Sequence, residues 1–357
     1  MKKKDAWNKF NLMNFLACDL GGTKVLIGIY EIDFYSKSPK LIFKKKYFSS
    51  EWDSFDSIIE TFLKEECKNI TYPLNACFAI AGPVKNNSAK IINLSWNIAG
   101  DDLKRKYNFR NVELINDFGV LVYGIPFLNK NQFETIQNGE LHDGFSRNFH
   151  AIVGAGTGLG IARGIINGTK VQVLESEGGH MEFSPRSQVE WELKKWLKNH
   201  LKVERISCER IISGSGLSRI AEWRLSKPDT INHPFQRIIK ELKFSNNLRK
   251  KIPGQICELS NKGDILMREI EGIWLEAYAS WLGDVAVHEL CFGGLWISGG
   301  TASKHLKNFK SDSFLKQLSN KGRLIDIVKS IPINVILDEE FGLYSAACRA
   351  KILLKTT

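Results

Sequence analysis

Apolar positions along the chain fall into short runs at two periods. Residues 15–20, 25–32, 41–48 and 76–81 are short runs of strand type, and Asp19 with Gly21 and Gly22 marks a hairpin turn between the first two. Between the last two runs, Phe55, Ile58, Ile59, Phe62 and Leu63 recur at the three- and four-residue spacing of an amphipathic helix. Residues 99–107 predict a second helix, and residues 112–115 a strand ending at Asn116 and Asp117. A carboxylate there projects from a strand's C-terminal edge, where open α/β sheets bind their ligands.

The pattern then starts again. Residues 151–153 predict a strand, a glycine-rich turn follows, and residues 161–166 predict a returning strand. Two such openings in one chain point to internal duplication. Beyond Ser187 the period is mostly helical, at 189–200, 217–225 and 265–290; residues 295–298 and 335–337 return as strands, and 342–354 close the chain as a helix. Residues 226–262 carry Pro228, Pro234, Pro253 and many charges, and read as a helical insertion or surface excursion without chemistry of its own.

A length of 357 residues is too great for one ordinary core and fits two domains, at about 150 residues per domain. The longest apolar runs fall well short of the roughly 18 residues a membrane helix needs. Lys2, Lys3 and Lys4 open a basic tail whose Asp5, Lys9 and Asn11 interrupt any secretory h-region. Cys18, Cys67, Cys77, Cys208, Cys257, Cys291 and Cys348 show neither CxxC nor Cys/His spacing, which argues against both a zinc site and a disulfide framework and for a reducing, cytoplasmic setting. The net charge of +11 is spread over short separate groups such as Lys44 to Lys46, so it reads as solvated surface that attracts anionic nucleotides rather than as a nucleic-acid footprint.

The chemistry concentrates in two glycine turns, DLGGTK at 19–24 and GAGTGLG at 154–160, each with a hydroxyl, Thr23 and Thr157. Glycines permit positive φ and let a backbone approach a ligand, so that successive N–H groups converge on an anion. The second turn lacks the third glycine of G-x-G-x-x-G, since Leu159 stands there, and no G-x-x-x-x-G-K-[ST] exists. A hairpin-type phosphate binder is left.

DLGGTK, LINDFG, GAGTGLG, EGGH, ERIISG and WISGG, in that order, resemble the bacterial glucokinase family of the hexokinase/actin-like ATPase superfamily, over nearly the whole chain. The resemblance implies an α/β fold of two RNase-H-like (actin-like ATPase) domains flanking a cleft: a smaller domain of residues 1–117 plus 341–357, and a larger one of 118–340 with a helical excursion near 226–262. It implies an ATP-dependent kinase acting on the 6-hydroxyl of glucose, with sugar binding driving closure. Asp19, Gly21, Gly22, Thr23 and Lys24 resemble the first phosphate loop, with Asp19 acting on Mg²⁺ through water. Gly154, Gly156, Thr157 and Gly158 resemble the second, and Gly299, Gly300 and Thr301 the adenosine-binding turn. Asn116 and Asp117 resemble the sugar-binding and catalytic pair, with Asp117 as the base, and Glu177, His180 and Glu209 the remaining sugar ligands.

The EGGH segment is followed by MEFSPRSQ, without the cysteines of the related ROK kinases, so no zinc is expected. Lys24 stands where that branch often has Asn. Glucose and ATP are the implied partners, with no nucleic acid and no membrane; a homodimer is compatible with the resemblance. The alternatives are a kinase for another hexose or an amino sugar, a sugar-responsive regulator without catalysis, and an actin-like filament or chaperone ATPase. The stretch before the first strand is too short for a recognition helix with its support.

Overall fold

The computed structural model describes residues 12–33, 38–68, 70–139, 146–241 and 246–355; the basic tail, up to residue 11, lies outside them. The chain divides into two compact units, Met1–Phe133 with Ala162–Glu175 and Asp338–Thr357, and Glu134–Ile161 with Ser176–Leu337.

In the first unit, strands β1 (Leu12–Leu20), β2 (Lys24–Asp33), β3 (Lys40–Phe48) and β4 (Asn75–Ile80) are followed by a small ribbon, β5 (Val84–Lys85), β6 (Ser88–Ile91) and β7 (Trp96–Ala99), and by β8 (Asn111–Asn116). The main sheet has the order β3-β2-β1-β4-β8, with β1 parallel to β4 and β4 parallel to β8. β4 is buried along its whole length, as an apolar strand between parallel neighbours should be. Helix α1 (Phe55–Glu66) buries Phe55, Ile58, Ile59, Phe62 and Leu63, the stripe its spacing predicts. The Ser54 hydroxyl caps it by accepting from the Ser57 N–H. Helix α2 (Gly100–Lys106) precedes β8.

The first unit runs past residue 117, where the sequence reading ends it, through Phe133. The reason is packing. Helix α3 (Leu121–Gly124) lies against the C-terminal helix α12 (Phe341–Ile352) so tightly that a Cβ on Gly124 would stand 2.6 Å from the Phe341 ring. The Tyr344 hydroxyl donates to the Phe127 carbonyl at 2.8 Å.

The second sheet contains β9 (Phe133–Gln137), β10 (Phe149–Ala155), β11 (Leu159–Asn167), β12 (Lys170–Ser176), β13 (Gly294–Ser298) and β14 (Ile333–Ile336), in the order β12-β11-β10-β13-β14-β9. Its first five positions repeat the order of the first sheet, with β10 parallel to β13 and β13 parallel to β14. The duplication suggested by the two glycine turns is thus present in the topology.

The second unit's helices include α4 (Gln188–Leu201), α5 (Gly214–Leu225), α6 (Phe235–Glu241), α7 (Asn246–Asn261) and α8 (Ile265–Glu289), followed by the short α9 (Leu306–Phe309), α10 (Asp312–Ser319) and α11 (Ile325–Lys329). The 226–262 stretch is helical, but it is not a surface excursion: Phe235, Ile252 and Ile256 sit in the same core as Ile220, Met267 and Trp274. Pro228 and Pro234 are exposed, while the buried positions are few and widely spaced. Among the described residues no helix is long and apolar enough to cross a membrane.

Candidate active site

In the first unit, parallel pairing brings the predicted acidic residues to one edge. Asp19 pairs in register with Ala79, and Ala79 with Ile115, so Asp19 stands level with the residue before Asn116, two strand spacings or about 10 Å across the sheet. The Asp117 N–H donates to the Ile80 carbonyl at 2.9 Å, which extends β8 by one residue and fixes where its side chain leaves the sheet. Asp117 Oδ1 accepts from the Phe118 N–H at 3.1 Å. Asn116 Oδ1 accepts from Phe118 and Gly119 N–H at 2.9 and 3.1 Å, and Nδ2 donates to the Gly82 carbonyl at 3.2 Å. Asn116 therefore serves the turn itself, which the sequence alone could not separate from sugar binding.

The first glycine turn closes through the Gly21 N–H, which donates to the Lys24 carbonyl at 2.9 Å; Gly22, Thr23 and Lys24 are exposed. Loss of solvent pushes the Asp19 carboxyl up to about 6, and the negative charge of Glu340 adds to the shift. Glu340 is itself ion-paired to Lys44.

In the second unit, register pairing of Gly154 with Ser298 sets the second glycine turn beside the Gly299–Thr301 turn. The Thr301 hydroxyl donates to the Ala155 carbonyl at 2.5 Å and ties the two together. Gly299 has a φ of 94°, a left-handed conformation that favours glycine. The glycines at 21, 22, 154, 156, 158 and 160 do not: none has a positive φ. A Cβ at Gly22, Gly156 or Gly300 would meet nothing within 4 Å, whereas one at Gly158 would stand 2.7 Å from Glu209 Oε2. The positive φ expected at both phosphate turns is corrected accordingly.

Glu177 and His180 lie near each other, with 3.7 Å between Oε2 and Nε2, yet their side chains are 88% and 54% exposed. They form an open polar surface. Gly179 is required because a Cβ there would stand 1.9 Å from the Leu159 carbonyl oxygen. The Leu159 N–H donates to Glu209 Oε2 at 3.2 Å, so Leu159, at the exit of the second turn, is held by the EGGH turn on one side and by Glu209 on the other. Glu209 is half-buried.

The sequence reading missed the turn's support. The Gly214 N–H, at the start of α5, donates to the Gly156 carbonyl at 2.8 Å, and the Ser215 hydroxyl donates to the Thr157 carbonyl at 3.3 Å. The Ser213 hydroxyl caps α5 by accepting from the Gly216 N–H. A Cβ on Gly214 would lie 3.7 Å from the Pro253 ring, which places α7 directly behind this support. S-G-S-G before an apolar helical run was the available signal, read only as part of ERIISG.

The glucokinase family model matches residues 16–352. The chain is 36% identical over 346 residues to the glucokinase of Nostoc sp., covering 94% of this chain and 99% of that one. Its fold is similar to that of a glucokinase from an Antarctic psychrotroph, with a TM-score of 0.76 at 22% identity, covering 95% and 99% of the two chains. It is also similar to a ROK family glucokinase from Streptomyces griseus in complex with glucose and AMPPNP, with a TM-score of 0.60 at 18% identity, covering 96% and 99%.

Proposed function

The chain belongs to the glucokinase family and is an ATP-dependent hexose kinase that phosphorylates glucose, and from that premise we propose that Asp117 takes the proton from the glucose 6-hydroxyl as it attacks the γ-phosphoryl group of ATP. Phosphoryl transfer asks little covalent chemistry of a protein: an aligned nucleophile and neutralised phosphate oxygens suffice. A carboxylate within hydrogen-bond reach orients the hydroxyl lone pair and accepts its proton. The support is the shared strand-end edge of Asp19 and Asp117, with Asp117 fixed at its own backbone by Ile80.

Asn116 holds the turn with three of its polar contacts, and its second Nδ2 hydrogen is the one this reading assigns to a sugar hydroxyl. Glu177, His180 and Glu209 supply acceptors for the other hydroxyls. The 19–24 and 154–160 turns offer backbone N–H groups to the phosphates, and Gly299, Gly300 and Thr301 border the adenosine. Gly156, Gly22 and Gly300 keep the ligand's side free of Cβ atoms.

The family implies Mg²⁺. Asp19 fits it: the carboxyl is pushed up by burial and by Glu340, and glycine at 342 leaves room at Oδ2, where a Cβ would lie 2.9 Å away. Held through water by Asp19, the ion would neutralise charge on the phosphate oxygens. On this reading the partners are glucose and MgATP, in a cytoplasm that keeps the seven cysteine thiols reduced.

The test is Asp117→Ala. Turnover falls by about a hundred- to ten-thousandfold, the range of a positioned base, while the dissociation constant for ATP is unchanged. Near-normal turnover removes Asp117 from the role.

A further inference from the structure

We propose that Cys257, Glu271 and His305 bind one thiophilic divalent cation of the zinc type in the interior of the second unit. None of the three has a part in the phosphoryl transfer described above. They come from three elements: Cys257 from α7, Glu271 from α8, and His305 from the segment that follows the Gly299–Thr301 turn. One donor atom from each lies within 4.8 Å of the other two.

A tetrahedral ion with bonds of about 2.0–2.3 Å needs donors about 3.3–3.6 Å apart. Cys257 Sγ stands 3.7 Å from His305 Nε2, and Glu271 Oε1 stands 3.2 Å from His305 Nδ1. These two contacts use different ring nitrogens, so an ion held at Nε2 beside Cys257 Sγ requires the Glu271 carboxylate to leave Nδ1 and turn to the sulfur's side; the three donors, which start within 4.8 Å of one another, then contract around it, and water takes the fourth position. The surroundings orient the donors as outer partners of metal ligands do. The Ser260 hydroxyl donates to Glu271 Oε2 at 2.5 Å, Asn308 Nδ2 donates to Glu271 Oε1 at 3.1 Å, and the Trp274 ring packs 4.9 Å from the imidazole.

The chemistry selects the ion. A thiolate and an imidazole favour zinc over magnesium, which prefers oxygen ligands in octahedral geometry. Thiolate and carboxylate together balance a charge of two in a place where His305 and Glu271 are buried. The thiolate is the ligand form, so binding releases the Cys257 proton and weakens as pH falls. Cys257 is only half-buried, which gives an ion access. The three residues lie too far apart in sequence to form a zinc motif, and only the packing of α7 on α8 assembles them.

The experiment uses the untagged full chain, freed of metal and titrated with Zn²⁺ against a chromophoric chelator, and in parallel with Co²⁺. One equivalent binds per chain, Co²⁺ gives a thiolate charge-transfer band in the near ultraviolet, and Zn²⁺ raises the melting temperature of the ligand-free protein. Cys257→Ser abolishes the band and the thermal shift, and Ser260→Ala weakens binding by about 10- to 100-fold. Absence of stoichiometric binding in the unaltered chain overturns the proposal without reference to any variant. So does a charge-transfer band that persists in a Cys257→Ser protein of native far-ultraviolet circular dichroism.

Discussion

Glu209 Oε2 lies 3.2 Å from the backbone nitrogen of Leu159 and accepts its hydrogen bond. A carboxylate assigned to the sugar is thereby fastened to the last-but-one residue of the second glycine turn, which is assigned to the phosphates. Disturbance of either part is transmitted to the other over a single contact.

Gly158→Val should therefore affect both substrates. Its Cβ would stand 2.7 Å from Glu209 Oε2, so the carboxylate must swing away and give up Leu159. Loss of a hydrogen bond to a charged group costs about 1.5–3 kcal/mol, which corresponds to a rise on the order of ten- to a hundredfold in the glucose KM, together with a rise in the ATP KM. Gly156→Ala meets nothing within 4 Å and should raise the ATP KM alone. Steady-state kinetics in both substrates distinguish the two; an unchanged glucose KM in Gly158→Val would sever the proposed link.

Asp19 gives a pH prediction with a definite sign. Its folded-state pKa of about 6 lies above the ordinary value, so between about pH 4 and 6 the folded chain holds a proton that the unfolded chain has released, and stability falls as pH rises. Asp19→Asn removes that slope. At pH 8 and without ligands the variant should be more stable by at most about 3 kcal/mol, while its turnover collapses. Parallel melting temperatures of the two proteins from pH 4 to 8 would refute the shift.

Helix α7 should behave as core. Ile252 and Ile256 are fully buried, so changing either to Ala should cost about 2–5 kcal/mol by denaturant unfolding. A cost below about 0.5 kcal/mol, as at an exposed site, would restore the surface reading.

Gly179→Ala is the most severe single-methyl change expected near the site. A Cβ 1.9 Å from a backbone carbonyl oxygen forces the EGGH turn off β11, whereas at Gly178 the nearest atom, a side-chain methyl of Ile161, is 3.0 Å away. The Ala variant at 179 should lose most of its glucose affinity, and the one at 178 far less, by isothermal titration with glucose. Equal affinities would show that the turn accommodates both.

Much of the fold was legible because its signals are local. Phe55 to Leu63 announce α1 by spacing, Asp19 to Lys24 announce a hairpin by turn chemistry, and Asn116 with Asp117 stands at the end of a readable strand. What could not be read depends on contacts between distant segments. That Gly179 is glycine because of Leu159, that Gly214 holds up Gly156, and that Cys257 meets His305 are facts of packing, with no periodicity to betray them. The 226–262 stretch misled for a related reason: its charged residues are numerous and continuous, while Phe235, Ile252 and Ile256 are few. The acceptor role of Asn116 was ambiguous because an amide that organises a turn and one that binds a sugar use the same atoms.

The two sheets share one strand order, yet their corresponding strand ends differ: β1 finishes with Asp19 and Leu20, β10 with Gly154 and Ala155. A polyanionic ligand tolerates a carboxylate only across an intervening cation. An aspartate at both strand ends would call for two ions beside one triphosphate. On the proposed reading the repeated architecture sets one charged and one uncharged strand end, so only the first needs a cation between it and the phosphates.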